Sequence, residues 1–136
     1  MILKISDYAI RALVYIATVE KGYVSVKEIN DALSDKSDIS FSYLRKAMNL
    51  LVRKDYLDSV TGPGGGFLLK MDPKKIKMID LITDMEGDST FKRCYLGMEE
   101  CREEQPCPFH HYWEKSREQF HSRLESLTLH DLVSQK

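Results

Sequence analysis

The segment Gly62-Pro63-Gly64-Gly65-Gly66 places four glycines and a proline within five residues, and β-prone runs at 57–61 and 67–70 flank it. No helix crosses such a segment, and turn-forming residues between two short apolar runs are the mark of an antiparallel hairpin with a mobile tip. That hairpin sits in the middle of a chain whose other patterned segments read as helices, which restricts the architectures available.

Upstream of it, Ile5, Ala9, Ala12, Leu13 and Ile16 recur at spacings of three and four, predicting an amphipathic helix over 5–19 with Ser6 and Asp7 in its first turn. Ser25 is placed to cap a second helix with Val26, Ile29 and Leu33 on its inner face, and the polar stretch 34–38 reads as a loop. Ser40 is placed to cap a third, with Leu44, Ala47, Met48 and Leu51 buried and Ser42, Tyr43, Arg45, Lys46 and Asn49 facing outward. Three helices followed by a hairpin outline a winged helix-turn-helix. The fold class expected is therefore mainly α with a small β-hairpin wing.

Beyond Asp72-Pro73, the residues Ile76, Ile79, Leu81, Ile82 and Met85 predict a fourth helix ending at Gly87. Helical patterning lapses over 88–108, where Gly97, Pro106 and Pro108 oppose regular structure. It resumes as a long helix in which Phe109, Trp113, Ser116, Phe120, Leu124 and Leu127 repeat at steps of three and four, the pattern of a helix that packs against a partner. A short tail helix is expected over 129–133. The division that follows is a DNA-binding unit over 1–75 and a dimerisation unit over 76–136, the latter carrying a cysteine loop at about 88–108.

Charge supports that division. Residues 1–75 carry 12 Lys/Arg against 9 Asp/Glu, a balance of +3, whereas 76–136 carry 8 against 12, a balance of −4. The cationic surface that phosphates require is thus concentrated where the helix-turn-helix lies. No apolar run is long enough for a membrane span and Lys4 interrupts the apolar start, so a cytoplasmic protein is expected.

Two constellations carry chemistry. A third helix with short polar and cationic side chains near its N-terminus can enter the major groove, and Ser40, Ser42, Tyr43, Arg45, Lys46 and Asn49 are the candidates for contact. Lys27 is a candidate for phosphate, and Gly64, Gly65 and Gly66 would let the wing backbone approach a sugar–phosphate edge. A basic helix face alone is commonly just solvated; the adjoining hairpin shifts the reading towards double-stranded DNA.

The second constellation is Cys94-x6-Cys101-x5-Cys107-x2-His110, with His111 next to it. Three thiols, an odd number, within a short irregular loop do not make a disulfide framework. Thiolates and imidazole suit zinc or an iron–sulphur cluster. Structural zinc sites bring ligands in closer pairs, so the five- and six-residue gaps favour a larger group. The surrounding Glu99, Glu100, Glu103 and Glu104 are not core residues. No open three-ligand site with an adjacent general base is visible, which speaks against a hydrolase, and no enzymatic activity is expected.

The segments Ser6-Asp7-Tyr8-Ala9-Ile10-Arg11-Ala12-Leu13, Ile39-Ser40-Phe41-Ser42-Tyr43-Leu44, Gly62-Pro63-Gly64-Gly65-Gly66-Phe67 and the cysteine loop, in that order, resemble the Rrf family of winged-helix transcription regulators, of the IscR and NsrR type. The resemblance spans essentially the whole chain. It implies a homodimer with crossing long helices, a pseudo-palindromic promoter site, and a cluster controlling promoter binding, with repression among the outcomes. It also implies Cys94, Cys101, Cys107 and His110 as ligands of a 2Fe-2S cluster, favoured over 4Fe-4S, with Asp7 of the partner subunit as rival fourth ligand. A cluster-free regulator answering to thiol oxidation or a protein partner is the alternative, and an iron–sulphur electron-transfer protein a more distant one.

Overall fold

The computed structural model describes residues 3–34, 40–87, 91 and 108–135. Among them the order is α1 (Lys4–Val19), α2 (Val26–Ser34), α3 (Phe41–Arg53), β1 (Leu57–Val60), β2 (Gly66–Leu69), a 3-10 turn (Pro73–Lys75), α4 (Met78–Glu86), α5 (His110–Ser126) and α6 (Leu129–Ser134). The three cysteines and most of the 88–108 loop lie outside the described residues.

The helices form where period and caps agree. In α1 the buried residues Ile5, Tyr8, Ala9, Ala12, Leu13 and Ile16 make one stripe. That stripe meets Leu44, Ala47, Met48 and Leu51 of α3 and Leu81, Ile82 and Met85 of α4 in a single buried cluster. Ser25 Oγ accepts the Glu28 N–H at the start of α2, and Ser40 Oγ accepts the Tyr43 N–H at the start of α3.

β1 and β2 pair antiparallel with Leu57 opposite Leu69 and Val60 opposite Gly66. At the tip the Gly65 N–H reaches the Gly62 carbonyl at 3.0 Å, with Pro63 and a positive-φ Gly64 between them, the residue pattern of a type II turn. Phe67 also exchanges two backbone hydrogen bonds with Val24, of 2.8 and 2.9 Å, so the segment before α2 acts as a short third strand that ties the wing to the helices. Nothing in the local pattern of 22–25 signals that pairing.

The fourth helix starts at Met78, two residues later than the apolar pattern suggests. Asp72 and Pro73 first form a capped 3-10 turn, and Ile76 is buried in extended conformation. Here Met78 N–H donates to the Leu127 carbonyl and Leu129 N–H to the Ile76 carbonyl, both at 2.8 Å. The chain after α5 is thereby fastened to the start of α4, and Leu124 and Leu129 join the same buried cluster as α1 and α3. Helix α5 otherwise buries only His110 and Leu124.

Candidate nucleic-acid interface and cluster loop

Helix α3 and the wing face one another across an open groove of about 400 Å³ lined by Ser25, Val26, Arg45, Asn49, Ser59 to Thr61, Gly62, Gly65, Gly66 and Phe67. Arg45 and Asn49 are exposed and lie on the α3 side; the turn-proximal half of the wing forms the other. The spacing of four between them puts both on one helix face, where a guanidinium and an amide can address base edges. Lys27, just inside α2, is exposed but does not line this groove; it lies with Ser25, Glu28 and Asp31 at a neighbouring opening.

The N-terminal turn of α3 is held from outside the helix. The Ser40 N–H donates to the Tyr8 hydroxyl of α1 at 3.1 Å, and Ser40 Oγ lies 3.3 Å from Ser42 Oγ. Tyr43, expected to face outward, is half-buried with its ring edge-on to Tyr8 at 5.4 Å. Lys4 Nζ and Lys46 Nζ sit 5.8 and 5.6 Å from the centre of the Tyr43 ring, and the Arg45 guanidinium stands 6.0 Å from the Phe41 ring. Tyr8 and Lys4 were not among the sequence-derived site residues. Their period marks them as helix-face residues, and only the crossing of α1 behind α3 gives them this position.

The wing glycines divide. A Cβ on Gly66 would lie 2.4 Å from the Val24 carbonyl oxygen, and one on Gly65 would lie 2.2 Å from that of Val60. Both are required by contacts inside the protein. Gly64, at φ +76° with open space around it, is required by the turn and presents its backbone outward.

Of the ligand candidates, Cys94, Cys101 and Cys107 fall outside the described residues. His110 is the first residue of α5 and only 3% exposed, with Nε2 3.4 Å from Glu114 Oε2; neighbouring His111 is exposed. Burial separates two imidazoles that are equivalent in sequence. Asp7 is partly exposed on α1 and receives the Arg11 Nε hydrogen at 2.7 Å. Among the described residues no group of three or more potential ligands forms a metal site.

A second polar cluster joins α1 to α2. Glu28 Oε2 accepts from the Tyr15 hydroxyl at 2.8 Å and Oε1 from Lys21 Nζ at 2.6 Å. Those two bonds, Lys21 first, hold the Glu28 carboxyl below its ordinary range, and the bond to Glu28 raises the Tyr15 hydroxyl. At the base of the wing, burial and then the hydrogen bond to Asp84 push the Tyr56 hydroxyl far up.

Three packed helices, a polar-capped third helix turned outward and a two-stranded wing beside it define a winged helix-turn-helix protein. The family model of Rrf2, described as an iron-dependent transcriptional regulator, matches residues 2–135, and the chain belongs to that family. A putative HTH-type transcriptional regulator of Aquifex aeolicus is 34% identical over 130 residues, covering 93% of this chain and 87% of its own length. The HTH-type transcriptional regulator IscR of Xenorhabdus nematophila is 32% identical over 127 residues, covering 93% of this chain and 74% of its own. Among solved structures, CymR, the global cysteine regulator of B. subtilis, superposes with a TM-score of 0.76 at 24% identity over 98% of this chain and 96% of its own. IscR of T. potens gives a TM-score of 0.69 at 25% identity over 98% and 85%. The protein is a transcriptional regulator of the Rrf2 family. Among the described residues, no helix is long and apolar enough to cross a membrane.

Proposed function

We propose that this regulator binds a pseudo-palindromic site on double-stranded DNA as a homodimer, and that an iron–sulphur cluster on Cys94, Cys101 and Cys107 controls that binding. The groove between α3 and the wing carries the DNA reading, because it sets Arg45 and Asn49 opposite an outward-facing backbone turn. The DNA-contacting set is Ser40, Ser42, Arg45, Lys46, Asn49, Lys27 and Gly64, with Tyr43 acting through the orientation of Lys46. Residues 1–75 make up the DNA-binding unit in this reading and 76–136 supply dimer contacts and the cluster loop. A cytoplasmic site accords with it.

The donor set fits such a cluster. Three thiols precede a buried imidazole, and His110 rather than His111 is the histidine withdrawn from water. Glu114 stands where a carboxylate orients a ligating imidazole. Asp7 is the rival fourth ligand across the dimer, with Arg11 fixing its carboxylate. When bound, the cluster supplies one-electron chemistry and a target for oxidants, nitric oxide or iron shortage. The residues of this chain hold it, shield it and transmit its state; a 2Fe-2S form suits this donor set.

Dimerisation is supported by exposed apolar surface among the described residues. Tyr112 and Phe120 of α5 are 79% and 40% exposed, and an open groove of about 420 Å³ lined by Ile10, Val14 and Leu33 lies between α1 and α2.

Anaerobically purified protein is expected to contain iron with matching sulphide and broad visible bands, and Cys101→Ala to lose them. Colourless wild-type protein after reconstitution, with DNA binding intact, would leave the cluster-free regulator standing. For the DNA reading, Arg45→Ala is expected to weaken sequence-specific binding about 5- to 100-fold, whereas Lys27→Ala lowers the salt slope by roughly one. Equal loss on all sequences for both variants would reject Arg45 as a reader of bases.

A further inference from the structure

Among the described residues, three α-helices begin at a short side-chain cap, and they solve the same problem in different ways. An N-cap residue has its own backbone N–H, which a capping box satisfies with a Glu, Gln or similar acceptor at N3. In α6 that box is complete: Thr128 Oγ1 accepts the Asp131 N–H at 3.2 Å and Asp131 Oδ2 accepts the Thr128 N–H at 2.9 Å. In α2, Ser25 Oγ accepts from Glu28, but the Glu28 carboxylate is turned to Tyr15 and Lys21. In α3 the N3 residue is Tyr43, which has no carboxylate to return. The missing acceptor comes from another helix, through the Tyr8 hydroxyl at 3.1 Å from Ser40 N.

Tyr8 is only 4% exposed, and its ring is locked edge-on to Tyr43, the residue whose face carries Lys4 and Lys46. Oxygen and ring of one side chain therefore fix two points on the first turn of α3, one on its backbone and one on its side-chain surface. A rigid-body tilt of α3 about its buried stripe would break both.

We infer that Tyr8 is a positioning residue for DNA recognition: its hydroxyl completes the N-cap of the recognition helix from α1 and sets the angle at which Ser42, Arg45 and Lys46 are presented. This rests on the DNA-binding reading above. Tyr8 touches no DNA in this account. Its effect falls on sequence-specific binding, which needs the angle, and not on phosphate attraction, which needs only charge.

The test uses full-length wild-type protein and Tyr8→Phe, which keeps the ring and removes the acceptor. The probes are the duplex enriched by the wild type from a random-sequence pool and sonicated non-specific DNA. Tyr8→Phe is expected to bind the enriched duplex about 2- to 10-fold more weakly, the range of one hydrogen bond, while its non-specific affinity and salt slope are unchanged. The Ser40 amide is expected to exchange with solvent faster, with neighbouring α1 amides unaffected. Tyr8→Leu, which also removes the edge contact with Tyr43, is expected to lose more specificity; if it fails to fold, Tyr8→Phe alone decides. Unchanged affinity for the enriched duplex in Tyr8→Phe overturns the inference while leaving the DNA reading intact, as does parallel weakening on both DNAs. If the wild type enriches no duplex, the DNA reading itself fails and takes this inference with it.

Discussion

Gly66 has a backbone φ of +143° and no room for a side chain, because the Val24 carbonyl closes over it. Gly66→Ala is expected to destabilise the protein by at least about 2 kcal/mol, from strained backbone and forced separation of the wing from the segment before α2. Gly64→Ala, strained in φ but unobstructed, is expected to cost about 1 kcal/mol. Denaturant midpoints separate the two, and equal losses would mean that contact with Val24 carries no energy. A second residue-scale case is Glu28. Its carboxyl is held below the ordinary value of 4.5 by Lys21 and Tyr15, so its contribution to stability is present above that pH. The contribution is lost as pH falls through the lowered value. The gap in stability between wild type and Glu28→Gln is expected to be constant near neutrality and to shrink below about pH 4.5; a gap that persists into acid would show that Glu28 acts through packing. Neither residue's role was readable from composition. Glycine in a turn motif is visible in the sequence, but which glycine is obstructed depends on Val24, more than forty positions away.

Elements differ in how much of themselves they encode. The stripes of α1 and α3 are written at helical period, and so are the boundaries set by Ser25, Ser40 and Gly87. The cap of α6 is written locally, and Thr128→Ala, which removes its capping box, is expected to cost about 1 kcal/mol. Because Thr128 also pairs with Lys77, that loss should appear as a lower melting temperature of the whole chain and not as fraying of α6 alone. A change confined to α6 amide exchange would show that its docking is independent of its cap. The apolar pattern runs continuously from Ile76 and so misplaces the start of α4: Ile76 is buried as extended chain against the segment after α5, and period alone does not distinguish a buried extended residue from a helical one. Likewise, the alternation in the wing reveals two strands and conceals the third partner, Val24, which contributes a single bridge.

For the molecule as a whole, one buried cluster joins α1, α3, α4 and the ends of α5 and α6, yet α5 leaves the rings of Tyr112 and Phe120 exposed. Such a surface is expected to be covered by a second copy of the chain. Phe120→Glu is expected to shift sedimentation from dimer to monomer and to weaken binding to a two-fold DNA site much more than to a half-site. A variant that still sediments as a dimer would move the interface elsewhere on the helix.

What the sequence determined by itself was the helices and the two-stranded wing, their order and the family. Those depend on local period, caps and turn chemistry, which act over a few residues. What only the tertiary structure decided was which equivalent residues serve. It buried His110 and left His111 in water, made Gly66 a packing requirement and Gly64 a free turn, and brought Tyr8 against the first turn of α3. These outcomes depend on atoms brought together from distant parts of the chain, and a linear pattern holds no record of which helix crosses behind another.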